Sequence, residues 1–108
     1  MDSDAEAIKL GGNIELSGFR ELDSGSMIIL KKIIGNYVRK LSDHSEKFEG
    51  IRIVLKPAFS SNLEKPSRFE VHGKLFDNGK TYAAEHIDNN VFVTVDRVLS
   101  KIERSVMR

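Results

Sequence analysis

Cysteine and tryptophan are both absent from this chain. Without cysteine there can be no disulfide staple and no thiolate metal site. No apolar run approaches the ~20 residues that a membrane-spanning helix requires. The opening stretch Met1 to Lys9 is acidic and lacks the apolar centre of a secretory signal. These absences place the expected protein in the cytoplasm, away from the membrane, by default. Charge of one sign is scarce too: 17 Lys and Arg face 16 Asp and Glu, a net of +1. A domain that gripped nucleic acid by bulk charge alone would be more basic. The first nine residues contain Asp2, Asp4, Glu6 and Lys9, so the remainder carries about +3. Placement of charge, not its total, has to carry any functional reading.

What remains is an ordinary globular composition of one-domain size, 108 residues with 40% hydrophobic and 31% charged side chains. Residues 1–12 are polar and end in Gly11-Gly12, and are expected as a flexible acidic tail, with Ile8-Lys9-Leu10 as the lesser alternative, an addition to the first strand. A single α+β domain is expected over 13–108. Ile14 and Leu16 alternate with Glu15 in a short strand. After a connection from Phe19 to Gly25 the apolar period becomes helical: Met27, Leu30, Ile34, Tyr37 and Leu41, with Ile33 and Val38 beside them. Ser24 or Ser26 is the expected cap. Ile28 and Ile29 fall off the stripe, which suggests broader burial of the first turn. Gly35 sits inside this helix at a cost of ~1 kcal/mol against Ala, so a close packing contact is expected there. Ser42 to Gly50 is polar and ends the helix.

Ile51, Ile53 and Leu55 alternate with Arg52 and Lys56, and Pro57 is expected to end that strand. Ala58 to Ser67 reads as a polar loop. Arg68 to Phe76 alternates again, with Phe69, Val71, Gly73 and Leu75 on one face. Asp77-Asn78-Gly79 is a hairpin turn, because its tight geometry needs positive φ. Lys80 to Ile87 returns as a strand with Tyr82 and Ala84 on one face, and Asp88-Asn89-Asn90 offers caps for a last helix. Phe92, Val95, Leu99, Ile102 and Val106 form its apolar stripe. The expected order is β-α-β-β-β-α: a four-stranded mixed sheet with two helices packed on one face. A ferredoxin-like arrangement would need another strand after the second helix.

Chemistry-bearing patterns are few. Arg97, Lys101, Arg104 and Arg108 recur at steps of four, three and four, which makes one stripe roughly opposite the apolar one. Lys32, Asn36 and Arg39 make a shorter polar line on the first helix, flanked by Lys31 and Lys40. With the helices side by side, both lines would share an outward basic surface, which phosphate backbones reward through counterion release. The plainer reading is a solvated helix face. His44, His72 and His86 match no metal-ligand spacing, although His72 and His86 lie on neighbouring strands; edge or surface histidines are expected, and no metal. No serine stands in a nucleophile elbow, and the paired acids Asp2 and Asp4 lie in the tail. Neither a catalytic residue nor a cofactor is expected, and the protein is expected not to be an enzyme. Tyr37, Phe69 and Phe92 fall on core stripes. The sheet face carrying Arg52, Glu70, His72 and Lys74 is of mixed charge and lacks an aromatic pair for stacking bases.

Several segments together resemble the ribosome hibernation-promoting factors, also described as ribosome-associated translation inhibitors. Asn13-Ile14 through Gly18 is similar to that family's first strand, Lys40-Leu41 to the end of its first helix, and Ile51 to Lys56 to its second strand. Phe92-Val93-Thr94-Val95-Asp96, then Lys101-Ile102 and Arg104, stands where the family has a Tyr-Ala-Ala-Ile-Asp run leading into a basic helix. The resemblance covers about Asn13 to Val106. It implies the same β-α-β-β-β-α order and a non-enzymatic protein of the small ribosomal subunit. It also implies that basic helix surfaces meet ribosomal RNA in the channel used by messenger and transfer RNA. Lys40, Lys101 and Arg104 are the residues the resemblance carries over; Lys32, Arg39, Arg97 and Arg108 come from the stripe alone. The alternative is a protein-interaction module, a homodimer or a sheet-edge binder through the last strand.

Overall fold

A computed structural model describes residues 7–9, 13–20, 22–59 and 66–107. Its elements are β1 (Ala7–Lys9), β2 (Ile14–Ser17), α1 (Ser24–His44), β3 (Phe48–Phe59), β4 (Pro66–Asp77), β5 (Lys80–Asp88) and α2 (Val91–Val106). The α+β architecture and its β-α-β-β-β-α order are as expected. β2 pairs parallel with β3, and β3, β4 and β5 form an antiparallel meander. A further strand joins them. Ala7–Lys9, inside the segment expected as tail, pairs antiparallel with β2, so the sheet order is β1-β2-β3-β4-β5. This adds backbone hydrogen bonds to what would otherwise be a bare β2 edge.

The alternating strands place Leu16, Ile51, Ile53, Leu55, Val71 and Leu75 on one face, all buried. Leu30, Ile34 and Leu41 of α1 and Val95, Val98, Leu99 and Ile102 of α2 close over them. Each such side chain contributes about 1.5–3 kcal/mol relative to leaving it exposed. Two glycines let backbones approach. Gly18 has φ +82°, and a Cβ there would lie 2.0 Å from the Leu55 carbonyl oxygen. Gly73 lies beneath α2, and a Cβ there would lie 2.7 Å from Val98 Cγ1 and 3.1 Å from Ile102 Cδ1. The helix therefore settles deeper than its expected stripe implies, and Val91, Thr94 and Val98 are buried as well. Phe19, expected in a connection, is fully buried.

Boundaries differ in instructive ways. Asp23, not Ser24 or Ser26, caps α1: its carboxylate accepts from Ser26 N at 3.2 Å and Ser26 Oγ at 2.6 Å. The same hydrogen bonds hold the Asp23 carboxyl below its usual range. Asn90 caps α2, accepting from Val93 N at 3.0 Å. Pro57 does not end β3, which continues to Phe59 paired with β4. Ile51 donates its N–H towards β2, and by the two-residue alternation position 57 would donate to that same side. There β2 pairing has already stopped at Val54, so the missing proline N–H forfeits no ladder bond. The loop expected from Ala58 to Ser67 shrinks accordingly, and residues 60–65 lie outside the described residues. Ile28 and Ile29 are 58% and 49% exposed, contrary to the expected burial, because among the described residues no layer lies outside α1. Gly35 has nothing within 4 Å of a Cβ, so no packing contact explains it.

The hairpin turn forms as expected, with Asn78 at φ 52° and Gly79 at φ 80°. It is tied to the α1–β3 connection. The buried Asp77 carboxylate accepts from Lys47 N at 2.8 Å, and Asn78 N donates to Lys47 O at 3.0 Å.

Candidate nucleic-acid interface

The two helices touch along a seam that the stripes did not reveal. Tyr37 of α1 donates its hydroxyl to Asp96 Oδ1 of α2 at 3.0 Å. Desolvation, the Asp96 hydrogen bond and the nearby charges of Asp96 and Glu103 push the Tyr37 hydroxyl up to about 12. Asp96 and Glu103 are seven residues apart, two helical turns, and so share the flank of α2 that looks towards α1. Lys40 lies over the Tyr37 ring, 5.2 Å from its centroid, a cation–π arrangement at the same seam.

The basic residues fall on either side of this acidic line. Lys32 and Arg39, seven residues apart, stand exposed on the crest of α1, opposite buried Leu30, Ile34 and Leu41. Arg97, Lys101 and Arg104 are exposed on the far flank of α2. Lys101 fixes that direction: its ammonium donates to the Glu85 carbonyl oxygen of edge strand β5 at 2.8 Å. The expected single basic surface is thus two basic strips with the Tyr37–Asp96 seam between them. Arg108 lies outside the described residues. Among the described residues, none of Lys32, Arg39, Lys40, Arg97, Lys101 and Arg104 takes part in an ion pair; the pairs present involve Arg52, His72 and His86. Their positive charge is therefore left for solvent or an anionic partner.

The histidines separate. His44 Nδ1 lies 3.0 Å from the Lys40 carbonyl at the end of α1. His86 pairs in register with Val71 and faces the helix side, where Nε2 lies 3.6 Å from Asp88 Oδ2. His72 faces the open side of the sheet, so the two histidines on neighbouring strands sit on opposite faces. His72 instead meets two carboxylates, Glu70 through Nε2 and Glu85 through Nδ1, the latter at 3.1 Å. No motif spacing announces that cluster, but its register was available: a two-residue turn at Asn78-Gly79 pairs position 77 with 80 and hence 72 with 85.

Among the described residues no helix is long and apolar enough to cross a membrane. No family model and no curated protein matches the chain. Solved structures share its fold, two of them closely enough in length to compare end to end. The Thermus thermophilus Protein Y N-terminal domain is 12% identical, with a TM-score of 0.57, over 94% of this chain and 98% of that one. A ribosomal subunit interface protein from Coxiella burnetii is 13% identical, with a TM-score of 0.63, over 87% of this chain and 90% of that one. At such identity the likeness is one of fold, and it extends over nearly the whole length of both neighbours.

Proposed function

We propose that this protein is a non-enzymatic, cytoplasmic, ribosome-associated factor that binds ribosomal RNA of the small subunit through its two helices. The observation that carries this reading is the set of six exposed helix cations with no acidic partner among the described residues. A fold shared with a protein titled a ribosomal subunit interface protein supports it, as does the resemblance to hibernation-promoting factors in Lys40-Leu41 and the Phe92-to-Arg104 segment. Guanidinium and ammonium groups on a rigid helix suit phosphate oxygens, and such contacts release counterions. The acidic seam divides the contact into two tracks, Lys32 and Arg39 on one side and Arg97, Lys101 and Arg104 on the other. Binding through these residues inhibits translation by occupying the small subunit.

The test is co-sedimentation with purified small subunits at low and high salt, with ribonuclease as a control. Binding is expected at low salt and lost at high salt. The triple substitution R97E/K101E/R104E is expected to abolish it while circular dichroism stays unchanged and melting falls only slightly, through loss of the Lys101–Glu85 contact. Undiminished binding by the folded triple variant would sink the site assignment.

A second reading, a protein-interaction module, rests on β5. It is the terminal strand of the sheet order, with Ile87 49% exposed. A second copy pairing on that edge would form a homodimer, seen as association that depends on concentration and ignores ribonuclease. Lys101 weighs against it, because its ammonium already occupies the outward Glu85 carbonyl, a common way of blocking a strand edge.

A further inference from the structure

We propose that Glu70, His72 and Glu85, on the sheet face away from the helices, form a binding site for a zinc ion. Their three ligand atoms, one from each residue, lie within 4.8 Å of one another. The arrangement follows from strand geometry. Glu70 and His72 are two residues apart on β4 and therefore share a face, and His72 is directly paired with Glu85 of β5. Hairpin register set by Asn78-Gly79 holds all three together without any loop.

The donor set suits zinc. One imidazole nitrogen and two carboxylate oxygens are borderline and hard donors that Zn²⁺ accepts at about 2.0–2.2 Å, leaving a fourth position for water. Ligand atoms around a tetrahedral ion sit roughly 3.4 Å apart, so the imidazole–carboxylate contact that admits the ion must open while the other carboxylate swings round to the same ring nitrogen. Glu85 can supply that movement, since its side chain is 71% exposed, while Glu70 and His72 are held at 37% and 33%. Space is present beside them: a shallow hollow is lined by His72, Ala83 and Glu85. Zinc would displace the proton held in one of the two imidazole–carboxylate contacts, releasing it to solvent, and take that nitrogen's lone pair, cross-linking β4 to β5. Two cations stand near. Lys56 is paired across from Glu70, and Lys74 lies two residues beyond His72. Both are exposed, so solvent screens them and their flexible side chains can turn away.

This site lies on the opposite side of the sheet from the cations proposed to meet RNA, so each can fail without the other. The test is titration of Zn²⁺ into the full-length, chelator-treated protein by calorimetry, with melting temperature followed alongside. About one equivalent is expected to bind, and the melting temperature to rise with zinc. His72→Ala and Glu85→Gln are each expected to remove both responses. His86→Ala, which touches the separate His86–Asp88 pair, is expected to retain them. Glu85→Gln keeps the comparison valid if His72→Ala disturbs the sheet, because its side chain lies mostly in solvent. No response in the parent protein, an equal response in both site variants, or loss only in His86→Ala would overturn the site.

Discussion

Charge is handled differently on the two sides of this molecule. On the open sheet face the acids Glu15, Glu70 and Glu85 are paired within the sheet, while Lys56 and Lys74 stand exposed beside them. Arg52 Nε reaches Glu15 Oε1 at 3.1 Å, and His72 is flanked by Glu70 and Glu85. These pairs join neighbouring strands, which is the usual means by which polar sheet faces gain cross-strand support. On the helix side, Lys32, Arg39, Arg97 and Arg104 project from helix surfaces with no such partner among the described residues. Of the acids on that side, Asp96 and Glu103 are turned to the seam around Tyr37, while Asp43 is exposed one turn beyond Arg39 near the end of α1. A chain almost neutral overall can therefore still present uncompensated positive charge, provided its acids are spent in seams and strand pairs.

The largest expected effect breaks this comparison directly. R97E/K101E/R104E should eliminate small-subunit binding at moderate salt. Single reversals should each lower the slope of log affinity against log salt by about one phosphate contact. The matching reversal on the open face, K56E/K74E, should leave sedimentation almost unchanged. If it weakens binding as much as the helix variant, the two faces are not functionally distinct.

Much of this layout was legible in the residues, because it depends on local periodicity. The 3.6-residue stripes located both helices, the two-residue alternation located β3, β4 and β5, and Asn78-Gly79 fixed the hairpin. What escaped depends on contacts distant in sequence. Tyr37 and Asp96 are 59 positions apart, and only the packing angle of the helices brings them together. Ala7–Lys9 carries too short a pattern to stand out, and it becomes a strand through its partner β2. Pro57 misled because its cost depends on which edge its nitrogen faces, and pairing with β2 on that edge has stopped at Val54. The candidate basic surface was legible as two lines of residues, but not as two strips parted by an acidic seam. The partition requires knowing that α2 directs Lys101 to β5.

Gly73 and Lys74 sharpen the comparison at adjacent positions, one beneath α2 and one in solvent. Gly73→Ala sets a Cβ 2.7 Å from Val98 Cγ1, so helix and sheet must part slightly. Overpacking of this kind costs about 1–3 kcal/mol. Lys74→Ala, exposed on the open face, should stay within about 0.5 kcal/mol of the parent. Urea unfolding of both variants measures the difference, and comparable losses would show that the helix does not rest on Gly73 as described.

The seam itself predicts an alkaline effect. Tyr37 keeps its proton up to about 12 in the folded protein, against an ordinary value of 10.0. Below the ordinary value both states are protonated, and the stabilisation is fully present. As pH rises towards the folded value, the unfolded chain releases its proton first and that stabilisation is lost. The melting temperature should therefore fall more steeply over this window in the parent than in Tyr37→Phe. Parallel alkaline limbs would mean that burial at the seam, with Asp96 and Glu103 beside it, does not hold this hydroxyl up.

The smallest effect has the opposite sign. Gly35 is exposed on the outer side of α1, and a Cβ there meets nothing within 4 Å. Its cost is then purely one of backbone freedom, since glycine in the unfolded chain samples more conformations than alanine does. Gly35→Ala should stabilise the protein by about 0.5–1 kcal/mol, a small rise in urea midpoint with unchanged slope. Because position 35 lies between Lys32 and Arg39 along α1, the same variant also probes the interface. Unaltered ribosome binding would mean that the α1 track acts through its charged side chains alone. Weakened binding in a more stable protein would mean that a partner approaches the α1 backbone where glycine leaves room.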